Sequence, residues 1–453
     1  VYKGTVLSRH EIGELGTPVH APTSGRVSAV GVAPVHGGHG EVLLPCVHIE
    51  ADGHDAIAPD RPQRPDISSL SPADIRHGLL EGGICGLGGA MFPAATKLNP
   101  ITEIDTLIIN GAECEPFINC DDALIQSRPQ SILQGAQLMM RALQHTDHCI
   151  VAIKRDMRAA IETMDAAIKE LADDRFILRP VPDAYPVGGE RQLIQLLCKR
   201  EVPSGGLPWD AGAVVQNMGT AAAVSDYLHR GEPLISRMVS VTGAGVREPC
   251  NIVARIGTSI SDLVEAAGGY TDQAEQLCAG GPMMGAPLST DQLPIGKNTN
   301  CILVSNSTEL GTPPPEMPCI QCSLCHEACP AGLMPQQLFA AARHSNLDLL
   351  KKHALTDCIE CGCCDFVCPS GLPLTPSFVR AKSELWADSF KRQRAEHARK
   401  LFNQRNVRLQ RKRIARQKTL DSQLEGVDSA DETSADALDA LKRRIDQRTG
   451  SKD

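Results

Sequence analysis

The chain has 453 residues, 42% hydrophobic and 22% charged, a composition that excludes a small disulfide scaffold and allows about three domains. No run approaches the ~18 consecutive apolar residues of a membrane-spanning helix, and a net charge of −9 with only fourteen aromatics argues against nucleic-acid binding. Val1 is not a methionine and no charged-then-apolar leader opens the chain, so a trimmed N-terminus and a cytosol-like compartment are expected.

Residues 1–60 are rich in Gly, Pro and His with short Val-containing runs, as in Thr17-Pro18-Val19-His20-Ala21-Pro22-Thr23-Ser24-Gly25, and read as a small β module. No lysine sits at its turn, so it is a structural module rather than a carrier of lipoyl or biotinyl groups. Pro59, Pro62 and Pro65 mark a linker. From 66 to 230, strand-like runs at Thr106–Ile109 and Cys149–Ile153 alternate with helical patterns from Asp121 to Leu143 and from Asp156 to Leu171, the pattern of an α/β sheet. A strand at Met238–Gly243 and a capped helix start at Thr258–Val264 indicate a β-grasp-sized unit over 236–290, closed by Pro313, Pro314 and Pro315. A cysteine-rich module occupies 310–385. The tail, 386–453, is first basic and helical, then acidic, and is expected to be partly disordered; residues 391–418 hold twelve of the 45 Lys and Arg against one of the 54 Asp and Glu, leaving −20 on the remainder.

Eighteen cysteines without a secretory leader need a chemical explanation. Cys319-x2-Cys322-x2-Cys325-x3-Cys329-Pro330 and Cys358-x2-Cys361-x2-Cys364-x3-Cys368-Pro369 are two copies of the run found in bacterial two-cluster ferredoxins. Three closely spaced thiolates hold three corners of a [4Fe–4S] cube, and the fourth cysteine ligates the cube of the other repeat. One cluster is thus assigned to Cys319, Cys322, Cys325 and Cys368, the other to Cys358, Cys361, Cys364 and Cys329. Zinc sites do not require a third thiol at this spacing with a trailing Cys-Pro. Cys363 adjoins the second run, but Cys364 alone keeps the two-residue spacing.

Four further motifs carry chemistry. Gly86-Leu87-Gly88-Gly89-Ala90-Met91-Phe92-Pro93 has Met91 where a dinucleotide fingerprint needs its third glycine, so it is not a Rossmann loop. Its glycines would let backbone amides approach a phosphate or a flat ring, with Lys97 supplying positive charge. Asn110-Gly111-Ala112-Glu113-Cys114-Glu115-Pro116 follows a strand, where α/β sheets bind ligands. Tyr185-Pro186-Val187-Gly188-Gly189-Glu190-Arg191 opens a helix, and Gln216-Asn217-Met218-Gly219-Thr220 follows.

The order of these motifs resembles the flavin- and NADH-binding subunit of respiratory complex I. With a β-grasp domain of the soluble-ligand-binding type and two ferredoxin repeats behind it, nearly the whole chain resembles the C subunits of Rnf (Rsx) ion-translocating electron transport complexes. The resemblance implies a multidomain α/β protein: an N-terminal barrel-sandwich-like β module, a complex I flavin-subunit-like α/β domain, a β-grasp domain, a bacterial ferredoxin-like helical module with two [4Fe–4S] clusters, and the tail. It further implies that Gly86, Gly88, Gly89 and Lys97 line the phosphate and ring of FMN, that Asn110, Glu113, Asn217 and Thr220 complete the pocket, and that Glu190 faces the nicotinamide nucleotide, with Glu190 and Lys97 the catalytic pair. Ala112, Met91 and Gly189 depart from the complex I pattern.

The expected activity is therefore an NADH-dependent oxidoreductase, peripheral on the cytoplasmic side of the bacterial inner membrane, which passes electrons through FMN and two clusters to a ferredoxin-like partner, with other membrane subunits carrying the ion. Two competing readings are a cobalamin reductase of the propanediol-utilisation type, which has the same layout without the long basic tail, and a flavin-free relay, favoured by Ala112 and Met91. The basic segment reads as a solvated helix or as an attractor for anionic lipid or acidic partner surfaces.

Overall fold

A computed structural model describes residues 1–9, 15–38, 40–59, 66–311, 314–428 and 435–449. Pro62, Pro65 and Pro313 of the expected linkers lie outside the described residues. Two compact units are present, Val1–Arg380 and Ala381–Asp453.

In the first unit, the Leu-Ile-Ile run of strand Thr106–Gly111 is buried on both faces, which a central parallel strand requires. It pairs in parallel with His148–Lys154 on one flank and Ala213–Asn217 on the other, and Phe176–Val181 lies beyond His148–Lys154. The chain thus steps outward over three strands and then returns to the opposite flank of the first. Such a reversal leaves a crevice at the carboxyl ends of the two strands that flank it, and Asn110 and Asn217 stand in register there. One face of the sheet packs against Ile75, Leu79, Ile132, Met139 and Met218 from three helices, the other against Leu193, Ile194 and Val202.

The helix expected from Asp121 to Leu143 is two helices, Cys120–Ser127 and Pro129–Leu143. Arg128 between them leaves the helical region, φ −142° and ψ 44°, because the ring of Pro129 disfavours helical backbone for the residue before it. Helix Pro129–Leu143 packs on Met218–Ser225 so closely that a Cβ at Gly135 would lie 1.8 Å from the Ala221 carbonyl oxygen.

The sheet of the β-grasp unit runs in the order Cys250–Arg255, Ser236–Thr242, Cys301–Ser305, Gln276–Ala279, Ala286–Pro287. Its central strand, all five residues buried, lies past the expected boundary at 290; a run of Cys-Ile-Leu-Val without alternation gives no sequence sign of which sheet it joins. In the β module, Gly25–His36 and Glu41–Ala51 form a long antiparallel hairpin, and Val6–Ser8 pairs with Val19–His20. Val30, Val32 and Leu43 on the hairpin are exposed, so among the described residues this is an open ribbon rather than a closed barrel-sandwich.

The second unit contains most of the 55-residue helix Leu374–Asp428 and helix Ala435–Thr449. The tail expected to be partly disordered is thus helical wherever it is described, and no described helix is long and apolar enough to cross a membrane. Its side chains from 391 to 419 are exposed.

Gly135→Ala should lower the urea stability of the sheet domain, read by Trp209 fluorescence, by about 1–3 kcal/mol or more, since the obstructing atom is backbone and cannot swing aside. An unchanged midpoint would contradict this close packing.

Candidate functional site

Both cysteine runs fold into the same turn. The second and fourth residues after the leading cysteine have left-handed backbone in each repeat: Gln321 (φ 57°) and Ser323 (64°), Glu360 (57°) and Gly362 (73°). These reversals curl the three thiols toward one centre, and the turn lets amides face sulfur, as Glu360 N–H does toward Cys358 Sγ at 3.4 Å. Cys329, reaching across from the first repeat, joins Cys358, Cys361 and Cys364 around one cavity walled by Leu333 and Phe378. Cys368 joins Cys319, Cys322 and Cys325 around a second. Cys363 also touches the first cavity. The two cavities differ in depth: Cys361 and Cys364 are buried, whereas Cys319 and Cys322 are exposed. Four thiols around a cavity with apolar walls are the donor set a [4Fe–4S] cube takes.

At the strand crevice, the glycine loop lies over the sheet end. Thr220 is wholly buried; its hydroxyl accepts from Leu87 N–H (2.9 Å) and faces the Cys85 carbonyl (3.3 Å). It therefore fixes the loop from beneath rather than lining the pocket, a correction to the expected role. Gly88 and Gly89 face solvent; a Cβ on Gly89 would meet nothing within 4 Å, and one on Gly88 only the Asn217 Cβ at 3.8 Å. This bare, open backbone is a cradle that fits the flat ring and phosphate of FMN. The amide of Asn110 donates to Gly188 O at 2.9 Å, and its carbonyl accepts from Ala112 N–H. Asn217 caps helix Met218–Ser225 through Gly219 N–H at 2.8 Å and donates to Asp121 at 2.6 Å. Lys97 and Glu190, expected to serve different ligands, form an ion pair of 2.5 Å.

Glu113 takes the place of a missing cap. Helix Cys120–Ser127 has no side-chain bond from its own Asn119, which is turned to Ser240 instead. The Glu113 carboxylate accepts from the amides of Asp121 and Asp122 and from Cys120 Sγ. Burial, and next the charge of Asp121, push its carboxyl up to about 7, and burial raises Asp121 as well.

Three contacts had no sequence signal. Arg237, buried at 6% exposure in the β-grasp sheet, donates to the Leu87 carbonyl inside the glycine loop at 3.1 Å and to Lys297 O at 2.5 Å. Lys297, also buried, reaches Gly83 O at 2.7 Å and Pro18 O at 3.0 Å. Glu115 accepts from the amides of Met283 and Met284 at 2.6 and 3.0 Å. The β-grasp unit is thus bonded into the crevice.

Family models match the three parts of this layout: a Nuo51 FMN-binding domain over residues 79–226, an SLBB domain over 238–287 and a 4Fe-4S dicluster domain over 318–372. Together with the open cradle and the two thiol cavities, they define an electron-transfer protein of the oxidoreductase class with FMN and [4Fe–4S] clusters as its cofactors. The chain is 42% identical over 413 residues (91% of its length, 52% of the relative's) to the C subunit of the ion-translocating oxidoreductase complex of Pseudomonas aeruginosa. To the proteins of the same description it is 40% identical in Erwinia tasmaniensis (95% and 53%) and 42% in Rhodobacter capsulatus (85% and 73%). The chain belongs to this family, the C subunits of ion-translocating oxidoreductase complexes, although it spans only about half the length of the Pseudomonas and Erwinia relatives.

One pH dependence follows from Glu113. Folded, it keeps its proton up to about pH 7; unfolded, it loses it near the ordinary 4.5. The stability it contributes is complete below 4.5 and is lost as pH rises through 7. Urea unfolding of the parent chain minus that of Glu113→Gln should therefore fall across this window, and a difference that rises with pH would contradict the burial of this carboxyl.

Proposed function

We propose that the chain is the electron-input subunit of its complex, taking electrons from NADH and delivering them through FMN and two clusters to a ferredoxin-like partner at the cytoplasmic face of the bacterial inner membrane. Bound FMN accepts the two electrons of a hydride and releases them one at a time. Gly86, Gly88 and Gly89 offer backbone to its ring and phosphate, Asn110 and Asn217 fix the strand ends beneath it, and Glu113 and Thr220 hold the flanking helix and loop. Lys97 supplies charge for the phosphate and Glu190 contacts the nicotinamide nucleotide; their mutual ion pair keeps each compensated until its ligand arrives. Cys329, Cys358, Cys361 and Cys364 ligate the inner cluster, and Cys319, Cys322, Cys325 and Cys368 the outer one.

The observation that carries this reading is that one loop serves both sites. Gly188 O bonds Asn110 at the crevice, and three residues earlier the Tyr185 hydroxyl donates to Cys361 O at 2.6 Å. Arg191 and Ser204 meet Asp357, next to Cys358. The deep cavity is thereby set against the flavin crevice, while the exposed Cys319 and Cys322 suit electron exit.

Anaerobic titration of the cluster-loaded chain with NADH should bleach the flavin and the clusters together. Clusters present with neither chromophore responding would overturn NADH as the donor. The basic segment, twelve cations on an exposed helix, is proposed to contact anionic lipid, each cation contributing about 1 kcal/mol at low salt. Deleting residues 391–453 should weaken salt-sensitive binding to phosphatidylserine vesicles and leave the clusters in place; unchanged binding would refute that contact.

A further inference from the structure

Three domains meet at one point between the crevice and the deep cavity. Tyr185, from the flavin domain, donates its hydroxyl proton to the carbonyl of Cys361 at 2.6 Å. Beside it, Glu115 from the same domain receives the amides of Met283 and Met284 in the β-grasp loop Gly281–Gly285. That loop in turn abuts the cysteine turn: a Cβ on Gly362 would lie 2.6 Å from Met283 O, and one on Gly281 2.2 Å from Glu115 Cγ. The approach is close enough that both positions need glycine.

We infer that Tyr185 and Glu115 are positioning residues for electron transfer between the flavin and the inner cluster, clamping the Cys361–Gly362 turn against the crevice and tuning the potential of that cluster. The inference rests on the proposed path from flavin to the cluster of Cys358, Cys361 and Cys364. Its physical basis is twofold. A hydrogen bond and a backbone stop on adjacent residues of the cysteine turn fix its distance from the flavin domain. The positive end of the Tyr185 O–H dipole, aimed at a carbonyl beside the cluster, favours the added electron, and hydrogen bonds around a cluster are among the factors that set its potential. Each electron the flavin loses is the one the inner cluster gains; neither residue is oxidised or reduced.

The test uses the full chain with clusters and FMN restored anaerobically, as parent, Tyr185→Phe and Glu115→Ala. Midpoints of both clusters are read by EPR during a dithionite titration, and cluster reduction is followed by stopped flow after flavin bleaching. Tyr185→Phe is expected to move one cluster to a more negative midpoint, leave the other in place, and slow cluster reduction by up to about tenfold, the worth of one hydrogen bond. Glu115→Ala, at a carboxylate bonded to the Met283 and Met284 amides rather than to the cysteine turn, is expected to slow the same step by freeing the Met283 loop. Parent-like midpoints and rates in variants that keep their clusters would overturn the inference, as would equal shifts in both clusters. Loss of clusters in both variants would make the contact a folding element only and overturn it as well. If NADH fails to bleach the parent flavin, the proposed donor is wrong, yet the dithionite midpoints still report on Tyr185, so the two failures are separable.

Discussion

The segment Tyr185–Gly189 has to satisfy polar groups at both of its ends. At one end its backbone accepts the side-chain amide of Asn110, near the carboxyl end of strand Thr106–Gly111. At the other end its half-buried tyrosine donates its hydroxyl proton to the carbonyl of Cys361. A buried polar group left alone costs about 1–3 kcal/mol, so the two bonds are mutually enforcing. They tie the crevice loop to the turn of the deep cavity, the first step of the proposed path. The fourth cysteine of each run adds a second constraint, because Cys329 and Cys368 each cross to the opposite cavity. Neither repeat can complete its site without the other, and the two cavities are held at a fixed separation.

The β-grasp unit has no cofactor residue of its own, but it holds the crevice in shape. Arg237 and Lys297 place a buried guanidinium and a buried ammonium on carbonyls of the segment 83–87. Burying such charges is favourable only when their donors are matched; the carbonyls of a glycine-rich loop, which has few internal bonds, supply the match. The loop gains rigidity that its own composition denies it, since glycine loses the most conformational freedom on ordering. This accounts for a loop open enough to admit a flat ring and yet fixed in place by Thr220 from below and Arg237 from the side.

Local chemistry was legible in the sequence. The Cys-x2-Cys-x2-Cys-x3-Cys-Pro spacing encodes a turn whose geometry is set within about ten residues, and the structure gathers the same two quartets. Asn110 was readable because it follows an apolar run of strand length, and Asn217 because the order of the motifs resembles the complex I flavin subunit. What depends on distant pairing was not legible. Cys301–Ser305 gives no sign of its sheet, and the ion pair of Lys97 with Glu190 joins residues 93 positions apart. Thr220 looked like a pocket residue because it sits in a motif; that its hydroxyl points beneath the loop depends on the helix packing there. Arg237, Lys297 and Glu115 act through backbone atoms of other domains, and backbone acceptors leave no mark on sequence.

The central claim is that electrons cross the chain in one order, flavin to inner cluster to outer cluster. It is tested most directly by removing one cluster at a time, through Cys361→Ser and Cys322→Ser, and recording EPR spectra after NADH addition. The account predicts that the Cys361 variant bleaches its flavin while the outer cluster stays oxidised, and that the Cys322 variant still reduces the inner cluster. Rapid reduction of the outer cluster in the Cys361 variant would contradict it.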